Sequence, residues 1–136
     1  KLHAKGGSYR VMVSNDLSYL VATYSPDRMD EAYGIAKRAH NLVSQQGGNA
    51  LGAAALRDTL GWIEHLKGDD GAALKHLSRS IARLQDRPEV HYHLGVTYQQ
   101  LGNTIWAKFH MERAASGDEK LAEVGKAKEL LKKWGS

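Results

Sequence analysis

Asp58-Thr59-Leu60-Gly61-Trp62 and Tyr92-His93-Leu94-Gly95-Val96 carry the same Leu-Gly pair 34 residues apart, and the echo continues beyond them. Gly68 returns as Gly102, Asp69 as Asn103, Ala73 as Ala107 and Leu77 as Met111. A period of this size is that of a helical repeat, a unit too small to bury its apolar face alone. Copies must therefore stack, so the expected fold class is all-α, built as a helical-repeat solenoid with a curved surface free to hold a partner.

On both sides of the echo, apolar residues recur at helical spacing between a few glycine and proline breaks. A first helix is expected over about 8–24, with Val11, Ser14, Leu17, Ser18 and Val21 on one side and Gly6-Gly7 as a loop ahead of it. Pro26 lacks an amide hydrogen and biases Ser25 away from helical geometry, which ends that helix. Asp27 is then placed to cap a second helix, which runs through about Gln45 with Met29, Ala32, Ala36, Ala39 and Val43 inward. Gln46-Gly47-Gly48-Asn49 breaks it. A third helix covers about 50–67, Gly68-Asp69-Asp70 turns the chain, and a fourth covers about 71–85 with Ala73, Leu77, Ile81 and Leu84 inward. Pro88 suits the first turn of a fifth helix to about 101, because its missing donor costs nothing there. Gly102-Asn103 turns again into a sixth helix over 104–115. Ser116-Gly117-Asp118 opens a seventh to about 134, with Leu121, Val124, Ala127, Leu131 and Trp134 as its stripe.

Composition narrows the function classes. The chain has 136 residues, 42% hydrophobic and 25% charged, enough for one domain with a real core. Its net charge of +4 is spread over interleaved acids and bases. Glu119, Glu123 and Glu129 dilute the lysines near the C-terminus, so no basic stripe for nucleic acid is present. There is no cysteine, hence no disulfide, thiolate metal site or thiol catalysis. No apolar run approaches the roughly 18 residues of a membrane-spanning helix, so no membrane insertion is expected. The start at Lys1, with no signal-like apolar core, suggests a piece of a longer protein. A cytoplasmic or periplasmic address is left open, any targeting signal lying outside the piece.

The residues resemble the tetratricopeptide repeat, whose pattern is W-x2-L-G-x2-Y, then A-x3-F, then P. His91-x2-Leu94-Gly95-x2-Tyr98, followed by Ala107-x3-Met111 and Ala114, fits best. Leu60-Gly61, Ala73-x3-Leu77 and Ser80 keep the small residues, but Arg57 and Glu64 stand where large aromatics belong. Looser packing is expected there, with the stems of Arg57 and Glu64 along the interface and their heads in water. The first unit has Leu17-Ser18 for Leu-Gly, Val21 for Tyr, then Ala32, Ala36 and Ala39. From Ser18 to Ala32 is 14 positions against 12 from Gly61 to Ala73, so its turn is longer. The resemblance implies a single domain over 1–136. Repeat one spans about 11–46, repeat two 54–87, repeat three 88–117, and a capping helix 118–134 closes a right-handed superhelix. Stretches such as Asp58 to Trp62 and Glu89 to Gly95 are also similar to repeats in large bacterial proteins of exopolysaccharide assembly and export.

In that family the first helix of each repeat lines the concave surface. The resemblance therefore implies a groove formed by Asn15, Tyr19 and Thr23, with Ala22, from repeat one. Repeat two would add Asp58, Trp62, His65 and Leu66, and repeat three Tyr92, Val96, Gln99 and Gln100. Aromatic area beside amide side chains suits an extended peptide or partner helix. A carboxylate clamp of the chaperone-tail type is not expected. Glu89 would repel the anion, and Asn15, Tyr19, Thr59 and His93 fill the other clamp places. His91 and His93 point to nearly opposite helix faces and cannot share a metal, and His76 and His110 lack a third ligand. No phosphate loop, His-Glu-x-x-His or ordered nucleophile and base is present, so neither catalysis nor a cofactor is expected. The expected function is a protein-interaction module. The alternative is a structural stretch of a longer array, with homo-oligomers formed by repeat stacking.

Overall fold

In a computed structural model, the backbone is described for residues 2–135 and the side chains for residues 9–135. The described chain is all-α. Its helices are α1 (Leu2–Tyr24), α2 (Met29–Gln46), α3 (Ala50–Leu66), α4 (Asp70–Ile81), α5 (Pro88–Gln100), α6 (Thr104–Ala115) and α7 (Ala122–Gly135), with one 3-10 turn at Pro26–Arg28.

The Gly-Asp and Gly-Asn echo is a turn made twice. Gly68 and Gly102 take φ of +89° and +84°, a region closed to most side chains, directly after α3 and α5. The amide of Asp69 reaches back to the carbonyl of Glu64 at 2.8 Å, and that of Asn103 to the carbonyl of Tyr98 at 2.9 Å. Orphaned helix-end carbonyls are thereby satisfied. The same two residues then start the next helix. Asp69 Oδ1 accepts from the Ala72 amide and Asn103 Oδ1 from the Trp106 amide.

The Leu-Gly echo is a close approach made twice. A Cβ on Gly61 would stand 2.6 Å from Leu77 Cγ and 3.1 Å from the Ala73 carbonyl oxygen. On Gly95 it would stand 2.6 Å from Met111 Cε and 3.3 Å from the Ala107 carbonyl oxygen. Ser80 Oγ closes the α3–α4 pair further down, donating to the Ala54 carbonyl at 2.7 Å. In α1 the equivalent small residue, Ser18, is fully buried and donates its hydroxyl within its own helix to Ser14.

Each helix packs on the next, and the odd-numbered helices also touch in series: α1 on α3, α3 on α5, α5 on α7. Among the described residues no even-numbered helix touches another even one. The core is correspondingly divided along the chain. Ala32, Ala36, Ala39 and Val43 bury against Val21, Leu56, Leu60 and Ile63. Leu77, Leu84, Val90 and Leu94 form the next cluster, and Met111, Ala114 and Ala127 the last.

Several sequence expectations are corrected. Gly6-Gly7 is not a loop, because α1 begins at Leu2; a glycine costs a helix only about 1 kcal/mol and does not by itself stop one. Asp27 does not cap α2, since Pro26–Arg28 forms its own 3-10 turn and no side chain caps the helix that follows. The fourth helix ends at Ile81, and the seventh starts at Ala122 rather than near 118, leaving Leu121 exposed outside it. Leu17 is 48% exposed, whereas Leu60 and Leu94 are buried. Those two lie under the helix preceding their own, and α1 has none among the described residues. Glu64 is only 4% exposed, so its head is not in water. Its carboxylate accepts from the Tyr33 hydroxyl and from His76 Nδ1, both at 2.7 Å. Burial and Glu64 push the Tyr33 phenol up to about 12. One period on, Tyr98 and His110 occupy the same two places and stack at 5.7 Å. A hydrogen-bonded pair thus replaces a ring stack.

His110 faces His91, Nδ1 to Nδ1 at 3.0 Å, while His91 Nε2 donates to the Gln85 carbonyl at 2.7 Å. That bond places the His91 proton on Nε2, so neutral His91 Nδ1 accepts from His110. Burial, with His91 alongside, holds His110 down to about 4.

Two predictions follow from this packing. Gly61→Ala gains about 1 kcal/mol of helix propensity but meets a branched carbon and a backbone oxygen, an overpacking cost of about 1–3 kcal/mol. Gly95→Ala meets chiefly a flexible methionine tip. Urea unfolding is expected to show G61A less stable than the parent and G95A near neutral; a G61A chain as stable as the parent contradicts the close approach. Because the His110 folded value lies below the ordinary imidazole value, the unfolded chain binds its proton first. Stability from this site is full above about pH 6.5 and falls by about 1–3 kcal/mol as pH drops toward 4. His110→Phe should remove that part of the pH dependence, and parallel stability profiles for parent and variant would refute it.

Candidate binding surface

The continuous layer of α1, α3, α5 and α7 carries most of the polar side chains anticipated from sequence. Thr59 Oγ1 donates to Asn15 Oδ1 at 2.6 Å, and Trp62 Nε1 donates to Thr23 Oγ1 at 3.1 Å, so two side-chain bonds tie α1 to α3. His93 Nδ1 meets Asp58 Oδ1 at 2.7 Å and ties α3 to α5. The Tyr19 hydroxyl donates to Glu123 Oε2 at 2.9 Å and lies 3.3 Å from His93 Nε2. The first helix therefore reaches the last across the layer. Burial, and then the Glu123 carboxylate, raise the Tyr19 phenol well above its ordinary value.

The aromatic residues are brought together but not left open. Trp62 stacks on His93 at 4.4 Å and on His65 at 5.5 Å, with Tyr19 and Tyr92 at 6.3 and 6.1 Å. It is only 7% exposed. The middle of the expected groove is thus filled by its own rings, which seal the layer rather than wait for a ligand. Ala22 is likewise core.

Toward the N-terminal ends of α3 and α5 the layer opens into a cleft of about 360 Å³. Asn15, Tyr19, Asp58 and Thr59 border it, with Leu20, Ala55, Leu84 and Val90 as an apolar wall. Its charged rim is Asp16, Asp58, Glu89 and Glu123 against Arg87 alone. Leu20, Asp16, Arg87 and Glu123 are additions that sequence spacing did not supply. Arg87 precedes α5, and Glu123 belongs to the helix expected only to cap the stack.

The remaining expected groove residues lie elsewhere. His65 bonds Asp70 at 2.6 Å, and Leu66 is exposed at the end of α3. Val96 packs into the α5–α7 core. Gln99 and Gln100 are exposed ten and eleven residues beyond Glu89, about 15 Å along the helix axis. The described residues contain no group of three His, Cys, Asp or Glu that could hold a metal ion, and no helix among them is long and apolar enough to cross a membrane.

Compared with known proteins, the chain matches no family model, no curated protein and no solved structure.

Tyr19→Phe removes the donor to Glu123 and leaves a partly buried carboxylate short of a bond, which costs about 1–3 kcal/mol. Thermal unfolding should show that loss with the helical content of the folded chain unchanged. A Y19F chain of parental stability would mean that the α1–α7 contact does not form.

Proposed function

We propose that the chain is a protein-interaction module of the tetratricopeptide kind, a right-handed solenoid that holds an extended segment of a partner against its odd-numbered helices. The repeated turn at Gly68-Asp69 and Gly102-Asn103, the paired approaches at Gly61 and Gly95, and the seriate contacts of the odd helices support the solenoid. Odd helices that touch while even ones stand apart support a compressed, concave side formed by α1, α3, α5 and α7. The observation that carries the functional reading is the cleft on that side. It combines an apolar wall with amide, hydroxyl and carboxylate groups, the mixture that fixes an extended chain in place. The aromatic stack at Trp62 supports the floor, so of the twelve inner positions Asn15 and Tyr19 supply most of the contact surface, with the nearly buried Asp58 and Thr59 lining its base.

A second reading, a scaffold segment that self-associates, is favoured by one observation. Tyr9, Met12, Val13, Leu17, Leu20 and Tyr24 form an exposed apolar stripe along α1.

Two measurements on one sample separate the readings. Titration of isotope-labelled chain with peptides selected from a random twelve-residue library should shift the amides of Asn15, Tyr19, Thr59 and Val90, while sedimentation reports a monomer. Selected peptides that shift none of these amides contradict the module. Concentration-dependent association abolished by Leu17→Glu would favour the scaffold.

A further inference from the structure

The cleft has a charge opposite to that of the chain around it. Four helices each contribute one carboxylate, Asp16 from α1, Asp58 from α3, Glu89 from α5 and Glu123 from α7, in a protein of net charge +4. The carboxylates are not idle surface groups. Asp58 is held by His93 through one oxygen, and Glu123 by Tyr19 through one oxygen, so both are fixed in position before any ligand arrives. Glu89 Oε1 is shut off from solvent with no hydrogen-bond partner. A buried acceptor without a donor is costly, so Glu89 gains from a side-chain rotation that brings this oxygen to a donor in the cleft.

The wall decides what kind of donor. Leu20, which is exposed, and the partly buried Ala55 offer apolar surface beside the acids, backed by the buried Leu84 and Val90, and neither a hydrated metal ion nor a compact ammonium would use it. A long aliphatic stem ending in a cation uses both, lying along the wall with its head among the carboxylates. A volume of about 360 Å³ suits such a side chain with its hydration water.

We infer that the cleft receives a lysine or arginine side chain of the bound segment, its ammonium or guanidinium placed among Asp16, Asp58, Glu89 and Glu123. This rests on the interaction-module reading and adds the chemistry of its partner. The partner segment is basic, and its binding weakens as salt screens the cleft. An acidic segment or a free C-terminal carboxylate is rejected by the same four groups.

The test uses the full chain and random twelve-residue peptides displayed on phage, followed by fluorescence anisotropy on the enriched peptides. The expected result is lysine or arginine at a fixed position. Replacing that lysine by norleucine, or the arginine by citrulline, should weaken binding at least 30-fold, since only the charge is lost. The double variant Asp16→Asn, Glu89→Gln should weaken binding at least tenfold. Glu112→Gln, on the exposed face of α6, should leave it unchanged. An unaltered unfolding transition of the double variant shows that the loss is not misfolding.

Peptides that shift the cleft amides but tolerate norleucine overturn the inference and leave the module standing. Cadaverine or agmatine binding the cleft when no peptide does overturns the peptide as the source of the cation. Binding of neither overturns both readings.

Discussion

Two places where helices pass at backbone distance set the geometry on which everything else depends. At Gly61 and Gly95 the first helix of a pair comes so near the second that even one methyl group would press on Leu77 or Met111 and on a carbonyl oxygen. Such approach buries a short contact densely, and it fixes the spacing within each pair. Repeated at one period and joined by the same left-handed glycine turn, it sets α3 and α5 alike, and α1 and α7 extend the row on either side. Without that alignment Tyr19 would not reach Glu123, and the cleft would have no fourth side.

Polar contacts then give the inner layer a single arrangement. Asn15 with Thr59, Thr23 with Trp62, and Asp58 with His93 each join neighbouring odd helices, and each would leave an unsatisfied group if the register slipped. The outer interface uses the same device once, where Glu64 takes hydrogen bonds from Tyr33 and His76 in place of the ring stack that Tyr98 makes with His110. A carboxylate at an aromatic position is tolerated because both of its oxygens find donors.

Much of the all-α layout was legible because its signals are local. Gly68-Asp69 and Gly102-Asn103 announce a turn between helices, and Ala32, Ala36, Ala39 and Val43 announce one buried face. Errors arose where distant residues decide the outcome. Glu64 reads as a surface acid until Tyr33, from another helix, supplies a donor. Leu17 reads as core by its spacing, yet no described helix covers it. For the candidate site, Asn15, Tyr19 and Asp58 were expected from the resemblance, whose spacing carries over to these helices. Glu123 was not, because its role depends on α7 folding back within reach of α1. Gln99 and Gln100 have the right register but lie too far along α5 to meet the cleft. Trp62 has the right place and the wrong exposure, a distinction that spacing does not carry.

Through Tyr19 and Glu123, α1 and α7 meet across the layer of odd helices. Nuclear Overhauser contacts in the labelled chain test this without any ligand. Cross-peaks from the Tyr19 ring to the side chains of both His93 and Glu123 are the predicted result. A Tyr19 ring with contacts to neither would contradict the layer, the cleft and the functional reading built on them.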